Sequence, residues 1–364
     1  MLSDSFTNVE AIQSFMDALT ANGALLDPDG FIVRVNKSWI RFSVENGGTA
    51  PYGVGSSYIG LLDQVSCTAP NCSAKATEDA AIARQVSQGI KKVTSGESEH
   101  FQLQYPCDSP TEKRWFLLTV ARIRQVANID VLVLHENITH VKQAEHKAQE
   151  SLRSVLVGFQ QMVDAIGIAI EKRDPYTAGH QKQVAAISVE VGRRLGFDGA
   201  RLFGLSLGAS IHDIGKISVP SDILCKPGRL SQPERMLLQH HAYAGFEIIH
   251  GVSFPWPIHE MILQHHEKFD GTGYPSGLMG DEICLEARII SVADVFDALT
   301  AHRPYRPGFS RPEALDIIQS ERGKTFDPEV LDAALPVIST VDTTWFSEHT
   351  ATVPVPSFET FHLD

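Results

Sequence analysis

The sequence predicts an α+β domain, then a helical linker, then an all-α domain over the C-terminal half. Three observations carry this. Between residues 21 and 131, short apolar runs alternate with turn signals, the pattern of strands. Residues 141–172 place apolar side chains at helical spacing after a charged start. From Lys172 to about Ile338, 3–4 residue apolar spacing recurs in segments separated by Gly- and Pro-containing loops. A chain of 364 residues is long enough for two cores. The expected boundaries are 1–140, 141–172, 173–340, and a tail over 341–364.

The composition, 43% apolar and 21% charged, is that of a globular protein. A net charge of -13 argues against a general nucleic-acid or anionic-membrane binder. No apolar run approaches the roughly 18–20 residues that span a bilayer, and the N-terminus carries acids where a signal peptide carries bases. A cytoplasmic protein is expected. Five cysteines, Cys67, Cys72, Cys107, Cys225 and Cys284, are odd in number and scattered, which suits reduced thiols. The histidines, fifteen in all, crowd from His180 onward and point to metal chemistry.

In the first domain, NGALLDPDGFIVRVNKSW holds two short strands joined by Asp27-Pro28-Asp29-Gly30, a strong turn signal. Residues 77–94 read as helix. HFQLQYPC, RWFLLTVARIR and IDVLVLHENIT read as three further strands. Through Leu25–Val33, Val35-Asn36, Trp39 and the exit VLVLHENITHVKQAE, this region resembles a PAS domain over roughly residues 10–140. The resemblance implies sensing of a ligand, a redox state or a protein contact, and leaves the ligand unknown. His135 and His140 invite a haem reading, but a lone histidine near a strand end is more often surface or packing.

In the linker, Leu152, Val155, Phe159, Met162, Ile166 and Ala169 step by 3 and 4. That is an a/d seam suited to a parallel homodimer, or the buried face of an ordinary amphipathic helix. As a dimer helix it would carry rearrangement of the first domain to the second.

The second domain is organised around LSLGASIHDIGK, residues 205–216. An apolar, helix-like run delivers His212 and Asp213 side by side, with Lys216 one turn later. His180, His241, His265, His266 and Asp294 also lie in or beside predicted helices. Imidazole and carboxylate ligands suit Fe, Mn, Zn or Ni. Seven groups exceed the needs of one ion, whereas two ions with a shared carboxylate use them naturally, and Asp213 is the natural bridge. Asp297, one turn after Asp294, is placed to orient ligands. His259, Glu260 and His265 do not make HExxH, and His240 is read as surface. After the double histidine, Asp270-Gly271-Thr272-Gly273 forms a permissive loop with Tyr274-Pro275 as its exit.

These residues make the second half resemble an HD-GYP domain, a subgroup of HD-type phosphohydrolases. The likeness runs over roughly 150–335 through RDPYTAGH, HDIGKISVPSDIL, KPGRL, His241 with Gly245, HHEKFDGTGYPSGL, EARIISVADVFDALTAHRPYR and ERGKTFDPEV. It implies hydrolysis of cyclic di-GMP to pGpG, and then possibly GMP, with two divalent ions, Fe or Mn. His180, His212, Asp213, His241, His265, His266 and Asp294 would be the ligands, with Gly273, Tyr274 and Pro275 the signature loop. Asp213 and Lys216 are the catalytic pair, Asp213 as bridge and proton acceptor, Lys216 near the substrate phosphate. Arg303 and Arg306 are read as phosphate or guanine contacts, or as an exposed ion-paired loop. Where some members carry a glutamate that recruits a third ion, this chain has Tyr176, and a binuclear site is expected. GGDEF-type cyclases are implied partners of the loop. Two rival readings stay open, a non-catalytic cyclic di-GMP receiver and a hydrolase of another cyclic dinucleotide.

Overall fold

Alternation in the N-terminal half produces one antiparallel sheet. In a computed structural model its five strands are β1 (Asn22–Leu26), β2 (Ile32–Val35), β3 (His100–Pro106), β4 (Trp115–Val126) and β5 (Ile129–Asn137), in the order β2-β1-β5-β4-β3. The structure describes residues 2–64, 74–108, 112–126, 129–174, 179–226, 228–301, 307–341 and 345–346. Cys67, Cys72, Tyr176, Arg303, Arg306 and most of the expected tail lie outside these residues. The chain divides into two units, Met1–Ala148 and Gln149–Asp364.

Around the sheet lie α1 (Leu2–Ala18), α2 (Lys37–Glu45), α3 (Tyr58–Gln64) and α4 (Ala74–Thr94). Period-2 burial puts Val131 and Val133 of β5 inward, in one cluster with Leu118 and Val120 of β4. The β1–β2 turn forms because the Asp27 side chain accepts the backbone N–H groups of Asp29 and Phe31. Asn36, fully buried, caps α2 by accepting from Trp39 N and also ties down Gly23 N. His135 holds no free ring nitrogen. Its Nε2 meets the Tyr58 hydroxyl at 2.7 Å and its Nδ1 the Tyr105 hydroxyl at 2.5 Å, which leaves neither for haem.

A single helix, α5 (Thr139–Glu171), crosses the division between the units. Its expected seam is not the face buried in the second unit. Gln160, Val163, Gly167 and Ile170 are buried, whereas Val155, Met162 and Ile166 are exposed. The helix carries two apolar stripes, and the a/d seam read from spacing lies mainly on the outer one, with Phe159 packed on the inner cluster. For the same reason an 18-residue stretch reaches a mean hydropathy of 1.3, enough by length and composition to cross a bilayer, with 22% of it buried. The stretch is not an uninterrupted apolar run, since Gln160, Gln161 and Asp164 lie within the apolar half of the helix.

The second unit continues as α6 (His180–Arg194), α7 (Gly199–Ile211), α8 (Ser221–Leu224), α9 (Gln232–Gln239) and α10 (His241–Ile249). It then runs through α11 (Ile258–Gln264), α12 (Leu285–Thr300), α13 (Arg311–Ser320) and α14 (Pro328–Ile338). Short 3₁₀ turns lie at Ile214–Ser218 and Gly280–Glu282. Helix α7 is buried from Leu202 to Ile211, and α6, α12 and α14 share its main core. Val163 and Ile170 of α5 join Phe203, Ile211 and Ile262 in a second cluster. Trp345 and Phe346 pack onto the main core. This scaffold fixes the ends of α7, α9 and α11 and the flanks of α6 and α12 around one point.

Candidate metal centre

The last carbonyls of a helix lack partners inside it. Three such ends here are closed by histidine rings. His212 Nδ1 lies 2.8 Å from Ala209 O at the end of α7, and His265 Nδ1 lies 2.8 Å from Ile262 O at the end of α11. His241 Nδ1 lies 2.7 Å from Leu238 O at the end of α9. A carbonyl only accepts, so each Nδ1 carries the proton and each Nε2 is left as a lone pair. Those lone pairs point at one another. Nε2 of His241 and Nε2 of His265 face across 3.3 Å, and Nε2 of His212 is buried without any hydrogen-bond partner.

Asp213 stands among them. Its Oδ1 is 3.4 Å from His241 Nε2, and its Oδ2 is 3.5 Å from His212 Nε2 and 3.7 Å from His180 Nε2. Two groups able to hold an ion result, Asp213 with His241, His265 and His266, and Asp213 with His180 and His212. Asp213 is common to both. The α-helix stops at Ile211, so His212 and Asp213 sit in the switch to a 3₁₀ turn rather than inside the continuous helix the sequence implied.

His180 opens α6. Its Nδ1 lies 2.6 Å from Asp297 and its Nε2 3.3 Å from Asp294, both on α12 and three residues apart on one face. Burial works against its charged form, but the two carboxylates outweigh this and raise its pKa to about 10. His265, His241 and His266 are driven the other way by burial, His266 to about 3, so these rings are neutral. Burial raises the Asp213 carboxyl, but Lys216 and the surrounding rings overcome this and hold it well below its usual range. Lys216 Nζ donates to Asp213 Oδ2 at 2.7 Å and lies 3.9 Å from Asp174. The lysine is thus paired with the shared carboxylate.

The signature loop is built onto the site from behind. Tyr274 packs against His266 with ring centroids 4.8 Å apart and the rings tilted by 33°, and its N–H donates to His266 O. A side chain at Gly273 would meet Lys268 N at 2.3 Å, so only glycine lets the loop lie that close. Glu267, 3% exposed, accepts the N–H groups of Ser276, Gly277 and Leu278. Glu267, Asp174 and Glu171 were not singled out as site residues from the sequence. Glu267 sits within the HHE triplet, which is the only signal it gives. His240 is exposed and stacks on Tyr243, away from the cluster.

The residues present fit divalent ions. Facing lone pairs and an orphaned buried nitrogen are unfavourable until a cation lies among them, and imidazole with carboxylate suits first-row metals.

Residues 166–330 match the family model of the HD domain. The chain is 35% identical over 212 residues to a cyclic di-GMP phosphodiesterase response regulator, RpfG, of Xanthomonas campestris pv. campestris, covering 57% of this chain and 56% of that one. It is 42% identical over 172 residues to a 3′3′-cGAMP-specific phosphodiesterase of Vibrio cholerae, covering 47% and 37%. A solved cyclic GMP-AMP-specific phosphodiesterase of V. cholerae aligns at a TM-score of 0.42 with 18% identity, over 54% of this chain and 53% of that one. The chain spans about half or less of the length of these curated relatives.

Proposed function

We propose that this HD domain is a metal-dependent phosphodiesterase of cyclic di-GMP, opening one 3′–5′ linkage to give pGpG. Two ions, Fe or Mn, would be held by His180, His212, Asp213, His241, His265, His266 and Asp294. The observation that carries the reading is the shared Asp213 between two ligand groups, with His212 Nε2 buried and unpartnered. Bound divalent ions supply Lewis-acid charge at the phosphate and an activated water.

The chain's own groups have separate tasks. Asp297 holds the proton of His180 Nδ1 and keeps Nε2 aimed inward. Asp213, common to both ligand groups and paired with Lys216, would bridge the two ions and accept the proton of the attacking water. Lys216, 18% exposed on its side chain, is the cation nearest the shared carboxylate and offsets charge on the non-bridging phosphate oxygens. Tyr274 and Glu267 hold the signature loop against His266, the surface on which a GGDEF-type cyclase would dock. The N-terminal α+β unit is read as a PAS-like sensor. The exposed stripe Val155, Met162 and Ile166 is read as the contact with a second copy.

Incubating metal-loaded protein with cyclic di-GMP tests this. Turnover is expected, and a double substitution His212→Ala, Asp213→Ala abolishes it. Binding without turnover across Fe and Mn would replace the enzyme with a receiver. One observation favours a second substrate, since a relative at 42% identity is named for 3′3′-cGAMP. Parallel assays on both cyclic dinucleotides decide between them.

A further inference from the structure

Within the N-terminal unit, α3, α4 and the sheet line an open-mouthed cavity of about 730 Å³, in the size range of small-molecule sites. Its walls include Leu62, Ile82, Val86 and Trp115. Its polar lining is the row Tyr58–His135–Tyr105 described above, with Tyr58 only 8% exposed. Around it stand the acids Glu78, Asp79 and Asp108 against one lysine, Lys113.

Counting hydrogens in that row gives a definite result. Each tyrosine brings one hydroxyl hydrogen and neutral imidazole brings one N–H, three in all. Only two gaps lie between the three groups, and each gap takes one hydrogen. One hydroxyl hydrogen therefore points out of the row, from Tyr105 in one imidazole tautomer and from Tyr58 in the other. No further partner meets either hydroxyl among the described residues. Burial lowers His135 to about 4, so the row is uncharged at neutral pH. An uncharged donor under an excess of acids does not attract an anion.

We propose that this cavity binds a neutral, largely apolar small molecule bearing one hydrogen-bond acceptor, a ketone or quinone carbonyl, which takes the outward hydrogen of the Tyr58–His135–Tyr105 row. The site lies wholly within the N-terminal unit and does not depend on the reading of the metal centre.

Calorimetric titration of the full chain with three probes of one shape tests the proposal. The probes are 2-acetonaphthone, 2-ethylnaphthalene and 2-naphthoate. The ketone is expected to bind about threefold to tenfold tighter than the hydrocarbon, the worth of one hydrogen bond, and the carboxylate weakest of all. In a Tyr58→Phe, Tyr105→Phe chain the ketone's advantage shrinks, while the hydrocarbon keeps its affinity. Equal binding of ketone and hydrocarbon by the unaltered chain overturns the proposal. So does a carboxylate that binds best, or the absence of binding by either neutral probe up to its solubility.

Discussion

The carboxylate of Glu171 accepts the N–H of Gln181 at 2.9 Å, and its other oxygen accepts that of Gly179 at 3.0 Å. His180 lies between these two anchored residues, so the last turn of α5 sets the first turn of α6. A carboxylate there also suits the positive end of the α6 dipole. Replacing Glu171 with Ala should lower metal affinity about tenfold to a hundredfold, as loss of a ligand's supporting partner does. Titration with Mn²⁺ checks it, and unchanged affinity would mean that His180 holds its position unaided.

Asp297 acts on the other side of the same ring. Asp297→Asn keeps an oxygen for His180 Nδ1 but removes the charge, so kcat should fall about tenfold, and further in Asp297→Ala. KM for the cyclic dinucleotide should stay within about twofold in both, because Asp297 is buried and bonded to the far nitrogen of His180. A rise in KM with kcat unchanged would count against the assignment.

For Tyr274, the ring and the hydroxyl have separable roles. Tyr274→Phe keeps the packing against His266 and should retain activity within about threefold, whereas Tyr274→Ala frees that ring and should cost more than tenfold. Comparable losses in both would place the hydroxyl, not the ring, in the chemistry.

His135 gives a pH dependence with a fixed sign. Its folded pKa of about 4 lies below the unfolded value of about 6.5, so the unfolded chain binds the extra proton between them. The stability it contributes is whole above pH 6.5 and declines as pH falls toward 4. Opening of β3–β5 should increase about fivefold from pH 6.5 to 5.5 by hydrogen exchange corrected for intrinsic rates. His135→Gln should flatten that trend.

Strands β1 to β5 were legible because alternation and the Asp27–Gly30 turn are local signals. The ligand-type residues were legible because few uses other than metal binding call for adjacent histidines beside aspartate at helix ends. Glu171 was not, since its partners are backbone N–H groups, which leave no mark on residue identity. Glu267 failed for the same reason. On α5, 3–4 spacing recurs on both sides of the helix, so spacing alone did not separate a seam for a second copy from the face buried in the second unit, and only packing tells which is covered.

A side chain at Gly215 would sit 1.8 Å from His241 O and 2.5 Å from Gly245 N. The turn that carries Asp213 therefore rests backbone against backbone on α10, with no flexible group between them to give way. His241 and the shared carboxylate move as one piece, while His180 depends on a tether from α5. In a two-ion centre the tenancies then differ. If two ions are held as proposed, a chelator should draw first on the one beside His180 and last on the one beside His241, which stepwise loss of metal on titration with EDTA checks.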